Sequence, residues 1–127
     1  KRDGSQSRGL GDVYKRQHDG ADVTAADCVA SLKRWGARDG MGQQLMGVIE
    51  EMKAVNNKTF SMKLTKPYGL VLESIGKISS NVPFMMPKRL AETDPFQQVP
   101  EIIGSGPFMF NKDEWVPGRQ FSGLFKI

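Results

Sequence analysis

A helix start with both halves of its cap written into the chain is the strongest constraint here, and the run Val23-Thr24-Ala25-Ala26-Asp27-Cys28 has that form. Thr24 can accept from an orphan N–H of the first turn. Asp27, three residues on, can answer to the backbone N–H of the cap. Val23 and Cys28 flank the box at the positions of a hydrophobic staple. Downstream, Cys28, Val29, Leu32 and Trp35 repeat at helical spacing, and Lys33 and Arg34 fall off that face. The spacing predicts a helix to about Trp35, with Gly36 as a left-handed stop. One amphipathic helix cannot bury its stripe alone, so the rest of the chain must supply a second layer.

That layer reads as a hairpin. Met52 and Ala54 alternate with Lys53 and Val55, Asn56-Asn57 offers a turn tolerant of positive φ, and Phe60, Met62 and Leu64 alternate with Ser61 and Lys63. Lys66-Pro67 ends the second strand. Between the first helix and the hairpin, Gly40, Met41 and Gly42 read as a loop, followed by a second helix over roughly residues 43–49. Leu70, Val71, Leu72 and Ile75 predict a short apolar helix closing near Gly76. Residues 82–86 read as an edge strand, and Pro87 opens a short helix through Lys88, Arg89, Leu90 and Ala91. Gly104-Ser105-Gly106-Pro107 is a tight turn into the strand Phe108-Met109-Phe110, and a further strand and turn follow at residues 115–118. The expectation is an α+β fold, a mixed small sheet with flanking helices.

Composition narrows the chemistry. Among 127 residues there is one cysteine, Cys28, and one histidine, His18. That excludes an internal disulfide framework, a multi-cysteine zinc site and a histidine cluster. No apolar run approaches the about 18 residues that span a bilayer. The net charge of +4 suggests nucleic acid until it is located. Residues 1–17 hold Lys1, Arg2, Arg8, Lys15 and Arg16 against Asp3 and Asp12, a balance of +3, which leaves +1 for the remainder. The bulk of the chain has no strong electrostatic footprint for phosphate.

Those first seventeen residues are polar and glycine-rich, and their apolar residues fit neither period. Asp12-Val13-Tyr14-Lys15-Arg16-Gln17 resembles the in-frame translation of the transposon end used in sequencing-library preparation. The resemblance implies a non-native head over residues 1–17, left out of functional reasoning, and a true protein truncated just before His18.

From His18 onward the order of motifs resembles the family 5 extracellular solute-binding proteins. The stretches that carry it are HDGADVTAADCVASLKRWG, AVNNKTFSMKLTKPYGLVLESIG, SSNVPFMMPKRLAE and GSGPFMFNKDEWVPG, spread over residues 18–118. Asp22 stands where the family usually has proline, and residues 119–127 follow its next strand poorly. The resemblance implies a subdomain piece from the N-terminal lobe of a two-lobed, periplasmic-binding-protein-like fold of the cluster C type. It implies a receptor that closes on peptides, nickel or another small solute and delivers it to an ABC permease and its ATPases. No catalytic residue and no cofactor is implied, and no nucleic acid is expected as partner. The parent would work in the periplasm or on the outer face of the cell, its missing export signal explained by truncation. The rivals are a small basic nucleic-acid-binding module using the head with Phe108, Phe110 and Trp115, a small enzyme with an unrecognised site, and an isolated piece with no activity of its own.

Most site candidates have plainer readings. Gly104-Ser105-Gly106 lacks the following helix and lysine of a phosphate loop, so Thr24, Asp27, Gly104, Ser105, Gly106 and Pro107 are taken as structural motif residues. Cys28 reads as a small buried apolar residue rather than half of a metal pair with His18. The seven methionines read as core filling and Trp35 as core packing. Adjacent carboxylates at Glu50-Glu51 and Asp113-Glu114 would point to opposite faces of a strand and make no acid/base pair. The residues left to touch a solute are Met41 in the glycine-rich loop and the polar connection Ser79, Ser80 and Asn81.

Overall fold

The computed structural model describes residues 16–116, residue 118 and the strand at 123–125. The larger of its two compact units is Thr24–Pro100. It opens with α1 (Ala25–Arg38), and the box at its start forms as the sequence predicts. The Asp27 Oδ2 accepts from the Thr24 N–H at 2.8 Å, and the Asp27 N–H donates to Thr24 Oγ1. Helix α2 (Gly40–Met46) follows after a single residue, Asp39. Strands β1 (Ile49–Asn56) and β2 (Thr59–Leu64) make an antiparallel hairpin in which Met52 faces Met62. Helices α3 (Val71–Ile75) and α4 (Lys88–Ala91) complete the unit.

The α1 stripe and the hairpin form the two layers. Val29, Leu32 and Trp35 pack with Leu45, Val48 and Met52, and Met46, Met62 and Met85 close in around them. Methionine here fills irregular gaps between the layers, as its flexibility allows. The Ala25 N–H donates to the Asn57 carbonyl at 2.9 Å and ties the hairpin tip to the helix start.

Several expectations need correction. Gly36 does not stop α1. It is buried within the helix, where a Cβ would strike the Met46 side chain. Gly42 lies against it, and its Cβ would come within 2.9 Å of the Gly36 Cα. Both glycines serve close approach of α1 and α2, and Gly40, Met41 and Gly42 are the first turn of α2 rather than a loop. The turn of the hairpin is Asn57–Lys58, one residue later than expected. It takes no left-handed φ, because the Asn56 Oδ1 accepts from the Lys58 N–H at 2.8 Å and shapes the turn instead. Residues 82–86 are not a strand. Both polar backbone groups of Met86 are taken by Ser31, whose Oγ donates to the carbonyl at 3.1 Å and accepts from the N–H at 3.0 Å. That pins the end of the segment to a helix, and the Phe84 N–H turns back to the Val82 carbonyl at 3.0 Å instead of joining a ladder.

The second unit joins the described residues before Thr24 with those from Glu101 on. Arg16 and Asp22 form an isolated bridge around the turn at 18–20, and the Gln17 N–H donates to the Ala21 carbonyl at 2.7 Å. Strand β3 (Phe108–Phe110) pairs antiparallel with β4 (Gly123–Phe125). Lys112–Glu114 is a 3-10 turn, so Asp113 and Glu114 are not strand neighbours. Phe110 and Trp115 meet edge to face with centroids 5.9 Å apart, a favoured aromatic geometry. Residues 1–15, most of the expected non-native head, and most of the tail at 119–127 lie outside the described residues.

Candidate functional site

The corner between α1 and α2 is built on one carboxylate. Asp39 ends α1 and caps α2, accepting at Oδ1 from the N–H groups of Met41 at 3.0 Å and Gly42 at 3.1 Å. Its Oδ2 takes Lys77 Nζ at 2.5 Å. The two side chains are 5% and 10% exposed, which makes this pair buried while the other described ion pairs sit at the surface. The Lys77 hydrogen bond holds the Asp39 carboxyl below the usual carboxylate range, against the opposing effect of burial and with help from the two helix N–H groups. The Lys77 ammonium also lies 5.6 Å from the centroid of the Trp35 ring, within reach of a cation–π attraction. Trp35 Nε1 donates to the Asn81 carbonyl at 2.8 Å.

Two of the four residues singled out from sequence join this network through their backbones, Met41 by its N–H on Asp39 and Asn81 by the carbonyl that accepts from Trp35. Ser79 and Ser80 lie between Lys77 and Asn81 along the chain. Met41 is half-buried, and the three loop residues are exposed. Ser80 adopts φ 66°, the one left-handed non-glycine residue among those described, a conformation a β-carbon disfavours. Trp35 itself is core. Its indole edge is spent on the Asn81 carbonyl, which leaves its ring packed rather than free to stack. Sequence reasoning missed Asp39 and Lys77. Asp39 before Gly40 carries a helix-cap signal, whereas nothing local marks a lysine 38 residues away as its partner.

A groove of about 470 Å³ runs along α1, β1 and residues 88–95. None of Met41, Ser79, Ser80 or Asn81 lines it. Arg34 crosses its end, donating from Nη1 to the Thr93 carbonyl at 2.6 Å and from Nη2 to the Gln97 carbonyl at 2.7 Å. Asp27 reaches the same side, accepting at Oδ1 from the Lys88 N–H at 2.7 Å, so the carboxylate of the capping box also receives the start of α4. Cys28 is half-buried, and burial followed by the nearby Asp27 charge pushes its thiol up, the opposite of an activated nucleophile.

In the other unit, two motifs 86 residues apart meet. The His18 N–H donates to the Gly104 carbonyl at 2.9 Å, and the Gly104 N–H donates to His18 Nδ1 at 3.2 Å. With Nδ1 accepting, the proton sits on Nε2, which donates to the Gly106 carbonyl at 2.9 Å. Gly104-Ser105-Gly106-Pro107 is thus the receiving half of a histidine clasp, followed by a strand and not by the helix a phosphate loop requires. The adjacent carboxylates of the hairpin go to separate lysines, Glu50 to Lys63 and Glu51 to Lys53.

Comparison with known proteins agrees with this motif order. Residues 17–123 match the model described as bacterial extracellular solute-binding proteins, family 5 Middle. Over 105 residues, 83% of this chain, the sequence is 43% identical to the probable peptide ABC transporter periplasmic-binding protein y4tO of Sinorhizobium fredii (strain NBRC 101917 / NGR234). The matched stretch amounts to 19% of that relative's length. With the family model spanning most of the chain and the capping box, hairpin and glycine turn all in place, the chain belongs to the family 5 bacterial extracellular solute-binding proteins.

Proposed function

We propose that the chain is part of the solute-capturing receptor of an ABC importer and that the solutes are peptides. The observation that carries the reading is the 43% identity to a protein whose name assigns it to peptide transport. The mechanism is binding without bond cleavage. Two lobes of the full receptor close around the solute, the closed form is selected by the contacts it adds, and the loaded receptor docks on a permease served by ATPases. It works in the periplasm or at the outer cell face. Within this chain, residues 18–118 are the working unit, and Met41, Ser79, Ser80 and Asn81 form its solute-facing edge. Support for that edge is the tie of Met41 to Asp39 and of Asn81 to Trp35, on either side of the Asp39–Lys77 pair, with Ser80 in a left-handed conformation of the sort that marks functional loops.

The test is calorimetry on the receptor expressed from its complete reading frame, titrated with a mixed short-peptide pool and separately with nickel ion. Saturable heat with peptides and none with nickel is expected; the reverse pattern would overturn peptide as the solute class. Asn81→Ala and Ser80→Gly in that receptor should weaken peptide binding by about 1 kcal/mol each if the loop touches solute. Unchanged binding in both would remove the loop from the site.

A further inference from the structure

We propose that the His18 clasp is a proton-operated latch: the uncharged ring holds the Gly104-Ser105-Gly106 turn at neutral pH, and the protonated ring releases the Gly104 amide in mild acid. The two ring nitrogens do opposite work. Nδ1 accepts from the Gly104 N–H at 3.2 Å, and Nε2 faces the Gly106 carbonyl at 2.9 Å as a donor. That division exists in the neutral ring alone, because the imidazolium is a donor at both nitrogens and an acceptor at neither. A proton added at Nδ1 would point at the Gly104 N–H and turn the hydrogen bond into a contact between two donors. No shift of a proton within the ring avoids this, since both nitrogens are then occupied. The bond from Nε2 to Gly106 survives, and so does the bond from the His18 N–H to the Gly104 carbonyl at 2.9 Å. The latch thus lets one amide go without letting the two segments part.

Imidazole is the side chain whose ordinary change of charge falls between about pH 5 and 8. His18 is half-buried, so water reaches the ring, and a Cβ on Gly104 would stand 3.4 Å from its Cε1. The charged groups on the segments that meet at the latch are Arg16, Asp19 and Asp22 on the His18 side and Glu101 on the returning side, with Lys112, Asp113 and Glu114 following β3 in the same unit. Arg16 is engaged with Asp22 at 3.9 Å, and the Asp19 Oδ1 accepts from the Ala21 N–H at 3.1 Å. None of the described ion pairs takes in His18. Every donor and acceptor of the latch belongs to this chain and to one compact unit, so its chemistry needs no surface to be free. His18 comes shortly before the unit Thr24–Pro100 and Gly104 shortly after it. The latch therefore fastens together the two lengths of chain that lead into and out of that unit. The inference stands apart from the choice of solute.

Two measurements on the full 127-residue chain test it. His18 is the one histidine in the sequence, so the imidazole signals report on the latch alone. Nitrogen NMR of the ring at about pH 8 should find it neutral with its proton on Nε2; a proton on Nδ1 would overturn the proposal. Hydrogen exchange is then read by mass spectrometry over residues 101–107, as protection relative to the unstructured amide rate at each pH. From about pH 8 to about pH 5 that protection should fall about three- to ten-fold, while the hairpin at residues 49–64 keeps its own. In His18→Asn the side-chain carbonyl can take the Gly104 N–H and does not titrate, so protection there should stay level across the same range. Circular dichroism checks that the variant is folded, and the ring measurement on the parent stands without it. Unchanged protection in the parent, an equal fall in folded His18→Asn, or a fall shared by the hairpin would each overturn the latch. None of these outcomes bears on the calorimetry of the full receptor.

Discussion

Asp39 and Ser31 show how single side chains hold this molecule. The Asp39 carboxyl is depressed in the folded state, chiefly by Lys77, so its contribution is present above the ordinary carboxylate value of about 4 and is lost as pH falls through the lower folded value. Urea unfolding followed by circular dichroism across the acidic range should show that loss. In Asp39→Asn the acid slope should flatten while stability at neutral pH drops below that of the parent. Ser31 is 1% exposed and satisfies both backbone groups of Met86. Ser31→Ala leaves that N–H and C=O without their partner and should cost about 1–3 kcal/mol in the same assay, with residues 82–87 gaining hydrogen-exchange rate before the hairpin does. Neither partnership was legible in the sequence, because each joins groups tens of residues apart through chemistry that every other serine and aspartate of the chain shares. Thr24 and Asp27 were legible, because a capping box is completed within four consecutive residues.

At the scale of elements, the α1–α2 pair turns on two glycines. Gly42→Ala sets its new methyl against the Gly36 backbone and the Trp35 ring, whereas Gly36→Ala meets the flexible Met46 side chain. Gly42→Ala should therefore be the costlier change, by about 1–3 kcal/mol against the parent. Gly36→Ala should be milder, offset by alanine's better helix propensity, and restored further in a Met46→Ala background. Thermal melts of the three variants decide it, and equal losses for the two glycine substitutions would disprove the close-approach reading. The glycine letter misled for a physical reason. Lack of a β-carbon serves a left-handed stop and a tight helix contact equally well, and only the partner helix decides between them. The hairpin was readable because alternation over residues 59–64 is a local property of a strand with one partly buried face. The supposed strand at 82–86 finds no partner strand among the described residues: Ser31 holds both backbone groups of Met86, and the Phe84 N–H turns back to the Val82 carbonyl. Of the candidate site, the sequence picked out Met41 and the loop of residues 79–81 by polarity and position, and could not show that Asp39, buried with Lys77, would hold the Met41 N–H.

Across the molecule, the layers bury Val29, Leu32, Trp35, Leu45, Val48 and Met52, yet Leu72, Ile78, Phe84, Phe96 and Phe108 remain largely exposed. For a soluble monomer these are many large apolar side chains in water. The isolated chain should therefore associate reversibly, and sedimentation velocity over a range of concentrations should show a rising average mass. A single concentration-independent species would contradict this. Ile78→Ser with Phe84→Ser should shift the distribution toward monomer without lowering the melting temperature, since neither residue belongs to the core. The shared carboxylate at the helix corner has one more consequence. Because one residue is at once the C-cap of one helix and the N-cap of the next, the path there has no slack. Substitutions that keep a short acid at position 39 are tolerable, but an insertion of even a single amino acid would detach either the preceding helix end or the following one. Length variation among relatives should accordingly collect in the connections at 65–70 and 92–100 and spare this junction.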